Sequence, residues 1–211
     1  MKEWLVFIYN KLRYDSFPQH VLNALKLIRI YIYPYFIYRE NISPTKKFLK
    51  NNILQEFDIS LAKKDDMQQI LDFPDRMDHL EKLHNRLKRG DLCIAAWSEG
   101  KIVAFSWANL VNFDFLSDKF KLKKDEGYLY DAYTSSKYRG QKLAYFLRYD
   151  LYKILEERGK NKLYSVSIKS NLPATKFKKN LNTQIIGSGL QIDFFGKWSY
   201  QNKTEFEKSH N

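Results

Sequence analysis

Apolar residues recur along this chain with two periods, alternate positions and every third or fourth, and the switching between them predicts a mixed α/β fold. Residues 57–62 suit a first strand, and Met67, Ile70 and Leu71 follow at helical spacing. Asp65 or Asp66 stands where a carboxylate caps that short helix. A second helix is expected over 75–89, stopping before Gly90-Asp91. The runs 92–97 and 102–110 flank Ser98-Glu99-Gly100-Lys101 and read as a hairpin, with Gly100 in the left-handed turn position and Trp97 and Trp107 anchoring the sheet. Residues 111–126 form a charged connection of a length that suits a loop over a binding site.

From residue 128 the pattern is most regular. Residues 128–134 are aromatic and extended, and Ser135, Ser136, Arg139 and Gly140 interrupt them. Leu143, Leu147, Leu151, Ile154 and Leu155 then repeat at helical spacing, while Lys142, Arg148, Lys153, Glu156 and Glu157 take the positions expected to face water. Gly159 ends this helix, and 163–168 is extended again, giving a β-α-β unit. The first turn of such a helix has N–H groups without intrahelical acceptors and a partial positive charge. A diphosphate fits there, with Arg139 and Lys142 adding full charges. Another helix starts near Asn171, and 183–187 and 190–200 read as two last strands joined through Gly187-Ser188-Gly189.

The N-terminal stretch is less regular. Trp4, Leu5, Phe7, Ile8 and Leu12 suit one short amphipathic helix, and Val21, Leu22, Leu25 and Ile28, after Pro18, another. Neither reaches the roughly 18 apolar residues of a spanning helix, and no small-residue cleavage site follows, so neither a signal peptide nor a membrane span is expected. Residues 29–39 alternate tyrosine with isoleucine up to Pro34, which predicts an edge strand or one broken at the proline. Its aromatic face suits core packing or dimerisation, or else contact with a membrane surface. The expected organisation is an extension over 1–55, a catalytic domain over 56–200 and a polar tail over 201–211.

Composition narrows the partners rather than the fold. The net charge of +12 draws the chain toward anions such as phosphates, an acidic protein or a membrane surface, although a lysine-rich composition also arises without function. Nucleic acid is disfavoured, since no RNA-binding signature accompanies the charge. Cys93 is the single cysteine, lies in an apolar run and is expected to be buried and inert, compatible with a cytoplasmic location. His79 and His84 are five apart and do not share a helix face, so no metal site is expected. Arg76, His79 and Arg86 are candidates for binding an anionic group. Asp131 is a carboxylate in an aromatic strand, suited either to taking a proton from an attacking ammonium or to a structural hydrogen bond.

Two stretches carry a family resemblance. Arg139-Gly140-Gln141-Lys142-Leu143-Ala144, between a strand and a helix, resembles the acyl-CoA-binding motif Q/R-x-x-G-x-G/A of GNAT N-acyltransferases. Asn171-Leu172-Pro173-Ala174-Thr175-Lys176-Phe177 resembles the N-x-P-A-x-x-F run that starts that family's later helix. The resemblance covers about residues 57–200 and implies the GNAT fold, a mixed central sheet flanked by helices, here with an N-terminal helical and aromatic extension. It further implies that the motif residues Arg139, Gly140, Gln141, Lys142, Leu143 and Ala144 bind the cofactor phosphates, that the pantetheine arm pairs with Ala132, Tyr133 and Thr134, and that Asn171, Ala174 and Phe177 contact the cofactor arm. Asn171 is equally suited to a helix cap. Catalysis would rest on Asp131 and on a backbone N–H near Tyr133 or Thr134, set in a β-bulge.

Three positions depart from the family. Lys142 replaces the middle glycine, Lys178 stands where many relatives carry a thiolate-protonating tyrosine, and Asn182-Thr183 replaces the usual Gly-Phe. The implied activity is transfer of an acyl group, most simply acetyl from acetyl-CoA, to a primary amine, without a metal. Three other readings stay open: a longer acyl-CoA or an acyl carrier protein as donor, with the chain at a membrane periphery; an inactive CoA-binding module; and a ribosomal or tRNA-associated modifier. The sequence does not decide between monomer and homodimer.

Overall fold

In chain order the elements are β1 (Ile30–Arg39), β2 (Asp58–Leu61), α1 (Met67–Leu71), α2 (Leu80–Lys88), β3 (Leu92–Ser98), β4 (Lys101–Asn109), β5 (Asn112–Phe115), β6 (Asp118–Lys121), β7 (Glu126–Thr134), α3 (Leu143–Glu157), β8 (Lys162–Ile168), α4 (Leu172–Asn180), β9 (Gln184–Phe194) and β10 (Trp198–Lys203). They come from a computed structural model that describes residues 25, 27–42, 56–73, 78–115, 118–195 and 198–203. The chain divides into two compact units, Glu40–Ser165 and Met1–Arg39 with Val166–Asn211. This division runs across the boundaries expected at 55/56 and 200/201. The helix expected near residue 4 and most of the connector over 41–55 lie outside the described residues.

In the unit Glu40–Ser165 the strand order is β8-β7-β4-β3-β2, with β7 and β8 parallel and the other neighbours antiparallel. Both faces of the sheet are covered, which is why β3 and β4 read as continuous apolar runs rather than alternating ones. Met67 and Ile70 of α1 and Leu83 of α2 pack with Cys93, Ala95, Phe105 and Trp107 on one face. Leu143, Leu147, Leu151 and Leu155 of α3 pack with Ile94, Ala96, Ala104 and Ala108 on the other. Glu99 (φ 52°) and Gly100 (φ 73°) are both left-handed, the turn geometry that matches strand twist in a two-residue hairpin. Asp66 accepts the Lys63 N–H at 2.7 Å, tying the turn that leads into α1.

Three expectations change here. α2 begins at Leu80, with residues 74–77 outside the description. The connection 111–126 contains the hairpin β5–β6, whose Phe113 stacks on Phe120 and also packs on Tyr128, giving the segment an apolar anchor. Arg148, expected on the wet face of α3, is 4% exposed. It lies 3.7 Å from the buried Glu40 carboxylate, which also accepts hydrogen bonds from the Tyr152 and Ser165 hydroxyls. A helical pattern treats arginine as surface, and only the distant Glu40 makes burial tolerable.

In the other unit β9 pairs antiparallel with β1 on one side and β10 on the other. β1 continues through Pro34 without a break. The Pro34 carbonyl accepts the Lys169 N–H at 2.7 Å, so its backbone points away from β9 and the missing N–H removes nothing from that ladder. The two strands expected at 183–187 and 190–200 are instead one eleven-residue strand, β9, followed by β10. Gly189 does not turn the chain; it leaves room for the Tyr35 ring directly across the pair. Gln201–Lys203, expected in a frayed tail, pair with Gln191, Leu190 and Gly189.

Candidate active site

The site grows from an irregularity in β7. Between the pairs Phe105↔Tyr133 and Trp107↔Tyr130, Asp131 and Ala132 together oppose Ser106, and Asp131 has φ 45°. This is a β-bulge whose first residue is left-handed, a strained conformation for an aspartate. The extra residue re-aims the strand. Its pairing with β8 runs only from Glu126↔Lys162 to Leu129↔Ser165. Beyond Leu129 the β7 edge opposite β4 carries no further ladder among the described residues.

Asp131 is not an isolated carboxylate. Its Oδ2 accepts a hydrogen bond from Arg86 Nη1 at 2.5 Å, and both side chains are largely buried. The Arg86 guanidinium also lies 5.2 Å from the centroids of the Trp107 and Tyr130 rings and 3.8 Å from Asp78. Arg86, expected to meet an anionic substrate, is thus already engaged by Asp131. Tyr133 packs by its ring against Phe73 and Phe105, with Arg139 above it at 5.7 Å. Ala132 is exposed, and Thr134 is half-buried.

Past Thr134 a 3-10 turn over Ser136–Tyr138 leads to Arg139, whose Nε donates to the Thr134 carbonyl at 3.1 Å. Gly140 (φ 82°) and Lys142 (φ 63°) are both left-handed, and Lys142 is the N-cap of the fifteen-residue α3. Within that helix start the Tyr145 and Phe146 N–H groups reach back to the Lys142 carbonyl. The N–H groups of residues 140–144 donate to no acceptor among the described residues. A run of open N–H groups at a helix start, flanked by Lys137, Arg139 and Lys142, is an anion cradle. No side chain caps the helix, so the cradle has no internal occupant.

The later motif residues belong to the other unit. Asn171 Oδ1 accepts the Ala174 N–H at 3.2 Å, so this side chain caps α4, with Pro173 in its first turn. Ala174 and Phe177 are half-buried. Lys178 is 5% exposed, with its ammonium 5.1 Å from the Tyr38 ring centroid. Arg76 lies outside the described residues.

A cavity of about 620 Å³ opens beside the bulge, lined by residues of α2, β4, β5 and β7 that include Glu81, Arg86, Asn109, Asp114, Tyr128 and Tyr130. At its edge Tyr130 donates to Asp91 Oδ2 at 2.6 Å, and Arg89 holds the same carboxylate in a two-pronged pair. Burial, and then Asp91, pushes the Tyr130 phenol well above its ordinary value. Burial, followed by Asp114 and Asp131, does the same to Tyr128. Of these residues only Arg86 and, nearby, His79 were singled out from sequence. Asn109 and Asp91 carried no signal, because each stands at the end of an apolar strand where polar residues are routine.

The sequence matches the model of the Acetyltransferase (GNAT) family over residues 59–182, more than half of the chain. The chain belongs to the GNAT acetyltransferase family. It is an acyltransferase of that family. No curated protein matches the sequence. Among solved structures, an aminoglycoside 6'-N-acetyltransferase from Acinetobacter haemolyticus aligns at 16% identity and TM-score 0.50, over 60% of this chain and 90% of that one. A Drosophila protein aligns at 12% identity and TM-score 0.60, over 85% of this chain and 58% of its own. A conserved Staphylococcus epidermidis protein of unknown function aligns at 8% identity and TM-score 0.53, over 85% and 68%. At these identities the likeness concerns the GNAT fold. Among the described residues no group of three or more His, Cys, Asp or Glu could hold a metal ion, and no helix is long and apolar enough to cross a membrane.

Proposed function

We propose that this chain moves an acetyl group from acetyl-CoA to a primary amine, with the pyrophosphate of the donor held over residues 140–144. The observation that carries the reading is the row of N–H groups without acceptors, beside Arg139 and Lys142 at the start of α3. Those donors are oriented before any ligand arrives, so an anion meets them without reorganisation.

Strand alternation suggests where the thioester would lie. The Ser135 N–H bonds to the Val103 carbonyl, and successive residues of a strand point their backbone groups to opposite edges. Tyr133 therefore addresses β4, and Thr134 addresses the other edge. Of the two backbone donors expected from sequence, the Thr134 N–H is the one suited to stabilise the tetrahedral oxyanion, while its carbonyl is held by Arg139. Asp131, tied to Arg86, orients the bulge in this mechanism. The attacking nitrogen must be neutral, so the ammonium first loses a proton to water. Attack forms the C–N bond, collapse breaks the C–S bond, and the second nitrogen proton is transferred to the thiolate or to solvent. Holding amine and thioester together supplies much of the rate.

The test is binding of CoA and acetyl-CoA to wild type and to Arg139→Glu, followed by calorimetry. Reversal of a charge next to phosphate is expected to weaken CoA by roughly ten- to a hundredfold. Equal affinity in both proteins would remove the pyrophosphate from this turn.

A further inference from the structure

We infer that the corner where β1 starts and β9 ends, in the unit Met1–Arg39 with Val166–Asn211, is a docking surface for an anionic lipid bilayer. The inference is independent of the acyl-transfer reading.

Among the described residues seven large apolar side chains are exposed, and four of them, Leu27, Ile28, Phe195 and Tyr200, collect at this corner. Leu27 is 86% exposed, Ile28 55%, Phe195 56% and Tyr200 40%. Leu27 and Ile28 precede β1, and Phe195 directly follows β9. The two turns are joined, because the Phe195 N–H donates to the Arg29 carbonyl at 2.8 Å, one step beyond the pair Ile30↔Phe194. On β10, Tyr200 stands opposite Ile192, two positions from the pair Trp198↔Phe194. It thereby adjoins the apolar cluster of Ile30, Ile32, Leu190, Ile192 and Phe194.

The backbone supplies a second observation. Arg29 and Phe195 both have φ 56°. A turn of this kind normally takes glycine or asparagine, and a bulky side chain in it is strained. Phe195 is thus suited neither to the turn, which it strains, nor to the core, which it does not enter. Strained residues of this sort persist where a function holds them.

Charge decides the occupant. Residues 25–33 and 194–203 contain no acidic residue and carry Lys26, Arg29, Lys197 and Lys203. Asp193, next in sequence, lies on the other face of the sheet, where it accepts from Gln191 Nε2 at 2.7 Å. Apolar side chains on turns with cations beside them match a bilayer of anionic surface, the apolar groups entering the acyl boundary and the cations meeting headgroup phosphates. A second copy of the chain fits less well, because a two-fold contact would set these cations against their own copies. A protein partner engages roughly 20 or more residues a side, whereas a bilayer is entered by a few side chains.

The full chain is sedimented with vesicles of phosphatidylcholine alone and of phosphatidylcholine mixed with phosphatidylglycerol. Wild type is expected to bind the anionic vesicles roughly tenfold more tightly, and added salt should weaken that binding. Phe195→Asn combined with Leu27→Gln should weaken it by about tenfold or more. Asparagine enters the left-handed region readily, so thermal unfolding of Phe195→Asn should match or exceed wild type, which separates lost binding from lost folding. Arg29→Asn, compatible with its turn for the same reason, should cost about fivefold on anionic vesicles and nothing on neutral ones. Ile185→Gln is the control: Ile185 is 52% exposed but pairs with Tyr38 at the far end of β1, and its loss should change nothing. Equal binding to both vesicles, unchanged binding by the corner variants, or no binding by wild type overturns the inference. A dimer in sedimentation equilibrium that Phe195→Asn dissociates overturns it too, by giving the corner to a second copy.

Discussion

Single residues here hold backbone conformations that the family normally assigns to glycine. Lys142 has φ 63° at the position of the motif's middle glycine, and Asn182 has φ 54° where a glycine is common. Asparagine enters the left-handed region readily, but for lysine the crowding of Cβ against the carbonyl costs about 1–2 kcal/mol. The turn into α3 therefore holds strain at Lys142. Lys142→Gly is expected to raise the unfolding free energy by at most about 1 kcal/mol, the relief being reduced by the greater freedom of glycine in the unfolded chain. Urea unfolding measures it, and a lower midpoint would mean that contacts of the lysine side chain outweigh its backbone strain. At Asp131 the left-handed conformation is fixed from outside, by Arg86.

At the level of elements, β1 and β9 show how side chains decide whether a strand continues. A Cβ built on Gly189 would lie 2.3 Å from Tyr35 Cζ and 2.4 Å from its hydroxyl oxygen, so the glycine exists for the ring and not for a turn. Tyr35 is fully buried, and its hydroxyl accepts a hydrogen bond from Gln201 Nε2 at 2.7 Å. Gly189→Ala should therefore destabilise by about 1–3 kcal/mol through overpacking. In a Tyr35→Ala background the same substitution should cost far less, because the clash has gone. A double-mutant cycle by chemical denaturation reads the coupling directly, and additive costs would show that the ring and the glycine do not compete for space.

For the molecule as a whole, buried phenols set the alkaline limit. Tyr128, Tyr130 and Tyr152 are each held above the ordinary phenol value, first by burial and then by nearby carboxylates. The folded chain keeps these protons at a pH where the unfolded chain has released them. Their contribution is complete below the unfolded value near 10 and is lost as pH rises above it, at about 1.4 kcal/mol per pH unit for each phenol. Tyr128→Phe should lower the slope of stability between about pH 10 and 11.5 by that amount for one group. This variant is the clean one, since the Tyr128 hydroxyl has no hydrogen-bond partner to strand among the described residues. Denaturant unfolding across this range measures the slope, and an unchanged slope would place the Tyr128 phenol in contact with water.

By itself the sequence determined the elements whose signal is local: the Glu99-Gly100 hairpin, the α3 stripe, the Gly159 stop, the Asn171 cap and the basic turn at 139–144. Each depends on residues within a turn or two of one another, so spacing alone carries it. Tertiary structure decided whatever depends on a partner far along the chain. Arg148 is buried because Glu40 is there, Asp131 is engaged because Arg86 reaches it, Pro34 sits within a strand because its carbonyl finds Lys169, and Gly189 is extended because Tyr35 needs the space. The cavity belongs to the same class. Glu81, Asn109, Asp114 and Tyr128 come from separate elements, and they meet only once α2, β4, β5 and β7 are brought around one space.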